Sequence, residues 1–155
     1  SNDCHQIIEE IFVLSKQENC KVIYPKDVRT GKDLNGSSEV KELNNISKND
    51  LILDIGPKTI NLIHHLIEES NTILWNGPAG YFENPNFSFV IVEIAKKIVE
   101  KNKNKTIYSV AGGGDTVSFL NNLGVTHNFN FVSTAGGAFL EYLEGKDLPG
   151  IKALN

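Results

Sequence analysis

The sequence predicts an α/β fold, a three-layer Rossmann-like and mostly parallel sheet with helices on both faces. Three observations carry this. Five short apolar runs of β-formers are spread along the chain. Four of them empty into a Gly- or Pro-rich corner, and a stretch of helical periodicity follows the corner. Strand, corner, helix in repetition is how neighbouring parallel strands are joined, because their connection must cross back over the sheet. Ligands of such sheets bind beyond the carboxyl ends of the strands. The corners are therefore expected to converge on one rim.

The elements follow in order. Ile7, Ile8, Ile11, Phe12 and Leu14 recur at helical spacing. Lys21–Tyr24 reads as a short strand that stops at Pro25, which lacks a ladder donor. Residues 29–50 are polar and charge-rich and read as a long surface excursion with room for a small hairpin. Leu51–Ile55 is a strand candidate ending in Gly56-Pro57, with a helix around Thr59–Glu69. Asn71–Trp75 is the next, ending in Asn76-Gly77-Pro78-Ala79-Gly80. Val90–Val99 has a helical pattern. Thr106–Val110 leads through Ala111 into Gly112-Gly113-Gly114 and a helix, Val117–Leu123, stopped at Gly124. Phe129–Ser133 leads into Thr134-Ala135-Gly136-Gly137, and a last helix, Ala138–Glu144, stops at Gly145.

With 155 residues, 40% of them hydrophobic, the chain is long enough for one domain with a sizeable core. A formal net charge of −4 gives no electrostatic footprint for nucleic acid or an anionic membrane surface. Of fifteen basic residues Arg29 is the only arginine, so the usual bidentate clamp for carboxylate and phosphate substrates is scarce. Cys4 and Cys20 have no metal-type spacing, and a reduced cytoplasmic setting is expected. No stretch approaches eighteen apolar residues and no signal-peptide pattern occurs. Methionine is absent throughout, so Ser1-Asn2 reads as a processed end or expression scar and the chain as a fragment.

Of all segments, Gly112-Gly-Gly-Asp-Thr116 says most about chemistry. Glycines let backbone approach a ligand, and a helix start offers unpaired N–H groups at the positive end of its dipole. Both favour an anion, most often phosphate. Asp115 would repel that guest unless a cation lay between them, which suggests a metal-bound phosphate such as Mg-nucleotide. The plainer reading makes Asp115 or Thr116 a helix cap. No Walker A spacing is present, and Gly56-Pro57-Lys58-Thr59 is only a near miss. A dinucleotide fingerprint would want glycine where Val117 stands and an acid where Ser133 stands, which disfavours hydride transfer.

Trp75–Glu83 reads either as a structural turn with an aromatic core or as a site. In the second case Tyr81 offers a flat surface for a base and Glu83 acceptors for ribose hydroxyls. Ser133–Gly137 is a second anion nest or a plain loop. Asp54 reads best as a carboxylate holding loop N–H groups. His64 and His65, adjacent on a helix, point about 100° apart and cannot share a metal. His127 has no assignable partner, and zinc is unsupported.

Together these stretches resemble the C-terminal part of phosphoglycerate kinase. The resemblance rests on Leu53-Asp-Ile-Gly-Pro57, Trp75-Asn-Gly-Pro78, Phe82-Glu83, Gly112-Gly-Gly-Asp-Thr116, Ser133-Thr-Ala-Gly-Gly-Ala138 and Leu143-Glu-Gly-Lys-Asp-Leu-Pro-Gly150, in the family's order. Ile23-Tyr-Pro-Lys-Asp27 matches more loosely. The resemblance implies reversible phosphoryl transfer between 1,3-bisphosphoglycerate and ADP, giving 3-phosphoglycerate and ATP with Mg²⁺, in a monomeric cytoplasmic enzyme of glycolysis. It implies that Gly56 and Tyr81 line the adenine pocket and that Asn76 and Pro78 lie near sugar and phosphates. It further implies that Glu83 holds the ribose and that Asp115 binds the metal. Gly113 and Gly114 would present N–H groups to the phosphoryl in flight, Thr116 beside them, and Ala135, Gly136 and Gly137 would face the same phosphates. Val90-Ile91 departs from the family's usual Gly-Thr, and Tyr81 is larger than the usual aliphatic residue. The family's acid-substrate arginines and phosphate-gripping lysines belong to segments outside this chain. Residues 1–155 are thus expected to be the C-terminal portion of the nucleotide-binding domain, holding the Mg-nucleotide half-site and inactive alone. The alternative is a nucleotide- or phosphate-binding module without catalysis.

Overall fold

The computed structural model describes residues 2–104 and 106–153. Helix α1 spans Asn2–Gln17 and is followed by strands β1 (Asp27–Gly31), β2 (Glu39–Glu42) and β3 (Leu51–Ile55). Helix α2 is Pro57–Glu69, strand β4 Thr72–Asn76, helix α3 Phe89–Lys103 and strand β5 Tyr108–Gly112. Helix α4 is Gly114–Asn122, strand β6 Phe131–Ser133, helix α5 Gly136–Leu143 and helix α6 Pro149–Lys152.

The fold is α/β, with a parallel sheet in the order β4-β5-β6 flanked by helices. Period-two alternation sorts its side chains. Ile73, Trp75, Ala111 and Val132 pack into a core with Ile67 of α2, Ile91, Ala95 and Ile98 of α3, and Phe119 and Leu120 of α4. Leu74, Tyr108 and Phe131 lie on the opposite face and are exposed. Among the described residues no helix is long and apolar enough to cross a membrane.

Two segments differ from the sequence-based expectation. Lys21–Tyr24 forms no strand, because a β run needs a ladder partner and none is bonded to it among the described residues. Instead β1 begins after Pro25 and pairs antiparallel with both β2 and β3. A hairpin does form, the β1–β2 pair, but it starts at Asp27, before the 29–50 excursion. Leu51–Ile55 is a strand as expected, but it belongs to this separate antiparallel sheet.

Two buried aspartates of that sheet start helices that are remote in sequence. Asp27 accepts from the N–H groups of Lys58 and Thr59 and from the Thr59 hydroxyl, at 2.9, 2.9 and 2.7 Å. With Pro57 at the first position, nothing at the start of α2 is left orphaned. Asp54 accepts from Ile55, Phe89 and Val90 and so starts α3. Val90 and Ile91 are fully buried, so their departure from Gly-Thr is absorbed as core. At the other end of α2, the buried Lys101 ammonium donates to the carbonyls of Ile67, Glu68 and Ser70, which suits the negative end of a helix.

The two carboxyls titrate in opposite senses. Burial pushes Asp27 up, but the Thr59 hydroxyl and the two N–H groups outweigh it and hold it below the ordinary 3.8. For Asp54 burial prevails over its N–H donors and the charge of Arg29, and its pKa lies above 3.8. A lowered carboxyl contributes stability that is lost as pH falls through its folded value. A raised one contributes stability below its unfolded value that is lost as pH rises through the folded one. Asp27→Asn is therefore expected to cost more near neutrality than in acid, and Asp54→Asn more in acid than near neutrality. Urea midpoints of both variants across that range check this, and parallel profiles would refute it.

Candidate nucleotide-phosphate cleft

Helices α4 and α5 start differently from α2 and α3. Neither has a side chain capping its first turn. The N–H groups of Gly114, Asp115 and Thr116 in α4, and of Gly137 and Ala138 in α5, find no acceptor among the described residues. Both helix starts open on one cleft of about 300 Å³, lined by Asn76, Gly77, Pro78, Gly113, Gly114, Asp115, Thr116, Thr134, Gly136 and Gly137. Three of the expected corners thus converge on one rim, at the carboxyl ends of the parallel strands.

Their contact depends on missing Cβ atoms. A Cβ on Gly136 would stand 2.8 Å from the Gly113 Cα and 3.2 Å from Asn76 Oδ1. One on Gly112 would stand 2.9 Å from the same amide oxygen. Gly113 has φ +96°, a conformation open to glycine and strained for other residues. Its backbone swings the chain from β5 into α4, while its N–H is held by the Ser133 carbonyl at 3.0 Å. Of the two donors expected there, Gly114 is open and Gly113 is not, because the adjacent strand end has taken the Gly113 hydrogen.

Two buried polar atoms border the cleft without a partner, Asn76 Oδ1 and Thr116 Oγ1. Buried polar atoms are ordinarily hydrogen-bonded, and orphans call for a ligand or water. Asp115 is exposed in the first turn of α4. It is the one carboxylate among the residues lining the cleft. Among the described residues no three His, Cys, Asp or Glu side chains cluster as metal ligands. One carboxylate beside phosphate donors fits a magnesium ion that arrives with its phosphates, since this ion commonly takes one or two carboxylates and fills the rest with phosphate oxygen and water.

The other expected site residues lie elsewhere. Gly56 caps α2 and is packed against the Asp27 carboxylate, which would collide with any Cβ there. The fold therefore requires a glycine at 56 for packing alone. Tyr81 lines a separate depression with Ile52, Leu53, Asp54 and Gly80, its N–H bonded to the Leu53 carbonyl. Glu83 is exposed in a turn. The sequence offered open N–H groups at 112–116 and 133–137; it did not show that the starts of α2 and α3 are closed by Asp27 and Asp54, carboxylates remote in sequence.

The phosphoglycerate kinase family model matches residues 1–146. The phosphoglycerate kinase of Zymomonas mobilis is 42% identical over 149 residues, 95% of this chain and 38% of that protein. That of Maricaulis maris is 44% identical over 146 residues, 93% of this chain and 36% of that protein. Among solved structures, phosphoglycerate kinase from Coxiella burnetii aligns with a TM-score of 0.87 and 35% identity over 100% of this chain and 40% of its own. The enzyme from Pyrococcus horikoshii OT3 aligns with a TM-score of 0.77 and 25% identity over 99% of this chain. The chain spans about two fifths of the length of these relatives. A family match over nearly the whole sequence, joined by the same fold, settles the affiliation: the chain belongs to the phosphoglycerate kinase family.

Proposed function

We propose that residues 1–155 are the C-terminal portion of a nucleotide-binding domain and supply the Mg-nucleotide half-site for phosphoryl transfer between 1,3-bisphosphoglycerate and ADP. One observation carries this. Of the starts of α2 to α5, two are closed by buried aspartates and the other two stand open on one glycine-walled cleft. Open N–H groups at two converging positive helix ends favour a multiply charged anion.

In this reading the phosphates lie across the Gly114–Thr116 and Gly137–Ala138 N–H groups. The Thr116 hydroxyl donates to them, and Asn76 orients the chain where phosphate meets sugar, with Pro78 alongside. Gly113 contributes close approach rather than a donor. Magnesium, when bound with the nucleotide, neutralises phosphate charge, and Asp115 would hold it. Gly56, Tyr81 and Glu83 would serve the base and ribose. Positioning and charge neutralisation are the main protein contributions to phosphoryl transfer. The acid substrate, 3-phosphoglycerate or 1,3-bisphosphoglycerate, would be held by other parts of the longer family protein, so the chain alone is inactive.

Calorimetry with the chain tests this. Asp115→Ala is expected to weaken Mg-ADP about tenfold or more, roughly 1.4 kcal/mol, and metal-free ADP about twofold or less. Equal losses would leave Asp115 as a helix-start residue only. The runner-up, a binding module with no part in catalysis, gives the same calorimetry. It is separated by restoring the remainder of a family enzyme: turnover on recombination supports the half-site and sinks the bare module.

A further inference from the structure

The corner after β4 differs from the two it meets in the cleft. Those after β5 and β6 run straight into helices, and Val117 N–H to Gly113 O and Phe139 N–H to Ala135 O fasten them at 3.0 and 2.8 Å. The corner at 77–80 has no helix behind it, and no backbone–backbone hydrogen bond involves these residues among those described. Yet it carries Gly77 and Pro78 into the cleft wall beside Asn76, the last residue of β4, and Gly77 sits at φ +92°. A loop so placed would wander unless a side chain held it.

One does. The Trp75 indole N–H donates to the Gly77 carbonyl at 3.0 Å. The ring is buried, packed against Phe129 with centroids 6.3 Å apart, and Trp75 lies opposite Ala111 in the parallel ladder. Its bicycle is therefore fixed by the sheet core, and its polar edge reaches two residues on to turn the Gly77 carbonyl inward. Pro78 has no N–H to help. We infer that Trp75 is a positioning residue of the nucleotide cleft: its indole N–H does for the β4 corner what a helix does for the other two, setting Gly77 and Pro78 against the Gly113–Gly114 backbone. This rests on the nucleotide reading of the cleft. Trp75 touches the ligand only through the corner it holds.

The test replaces Trp75 with benzothienylalanine, which keeps the bicyclic shape and removes the donor, and compares it with Trp75→Phe. Phe129→Leu disturbs the same core while leaving the indole bond. In the ligand-free chain, backbone order parameters at Gly77, Ala79 and Gly80 are expected to fall from the rigid range, about 0.85, to below about 0.6 in both Trp75 variants and to stay unchanged in Phe129→Leu. Mg-ADP affinity is expected to fall about tenfold in the Trp75 variants and within about twofold in Phe129→Leu, even where the latter melts lower. Unchanged order parameters, or lowered ones with unchanged affinity, would overturn the assignment. So would an equal affinity loss in Phe129→Leu, which would reduce Trp75 to packing. A wild-type chain that binds no Mg-ADP would overturn the nucleotide reading, and the order parameters would still decide whether the indole holds the corner.

Discussion

Gly136→Ala is expected to abolish tight nucleotide binding while leaving the chain folded. The added methyl would stand 2.8 Å from the Gly113 Cα and 3.2 Å from the Gly113 nitrogen. Both are backbone atoms of the next corner and cannot rotate away as a side-chain tip can. Either α5 retreats from α4 or the Gly112–Gly114 turn is pushed into the cleft, and each separates the two sets of open N–H groups. A loss of about 3 kcal/mol, more than a hundredfold in Kd, follows from losing the donors of one helix start. Alanine itself favours a helix over glycine, so the melting temperature should move little. Calorimetry and thermal melts of the same preparation check both halves. Unchanged Mg-ADP affinity would mean that the two helix starts do not act on one ligand.

Phe87→Ala is expected to give the largest loss of stability, about 3–5 kcal/mol. Phe87 is 0% exposed. Its ring tip lies where a Cβ on Gly31 would fall, at 2.7 Å, and its carbonyl stands 2.6 Å from a Cβ placed on Gly80. It therefore fills the space between β1 and the turn before α3, joining the antiparallel sheet to the rest of the molecule. Domains are stable by only about 5–15 kcal/mol, so this variant should unfold at a far lower urea concentration. Phe131→Ala, at a ring 52% exposed on the open sheet face, should cost about 1 kcal/mol or less. Similar urea midpoints for the two would show that Phe87 is no keystone.

Much of the architecture was legible in the sequence because the signals are local. Short apolar runs marked β3 through β6, and the stops at Gly124 and Gly145 fall just after α4 and α5 end. Asp54 acts as read, a carboxylate that gathers N–H groups, although two of its three donors lie 35 and 36 residues away. The convergence of the 76–78, 113–116 and 136–137 corners followed from the rule that parallel strands end on one side. Lys21–Tyr24 was misread because its composition suits a strand, yet a strand exists only with a hydrogen-bonded neighbour. β1 was missed for the converse reason: Asp27-Val-Arg-Thr-Gly31 looks polar, and Asp27 and Thr30 are buried only because α2 and β2 come to meet them.

The sequence by itself determined the element types from β3 onward, the glycine corners, the carboxylate at an anion-favouring turn and the likeness to one kinase family. Each of these depends on a residue and its near neighbours. Tertiary structure alone decided which N–H groups remain free. Asp27 closes a helix start 31 residues on, Ser133 takes the Gly113 hydrogen across the parallel ladder, and an indole from the core holds the Gly77 carbonyl. A hydrogen-bond donor's availability depends on every acceptor that folding brings within reach, and only the folded chain fixes that set.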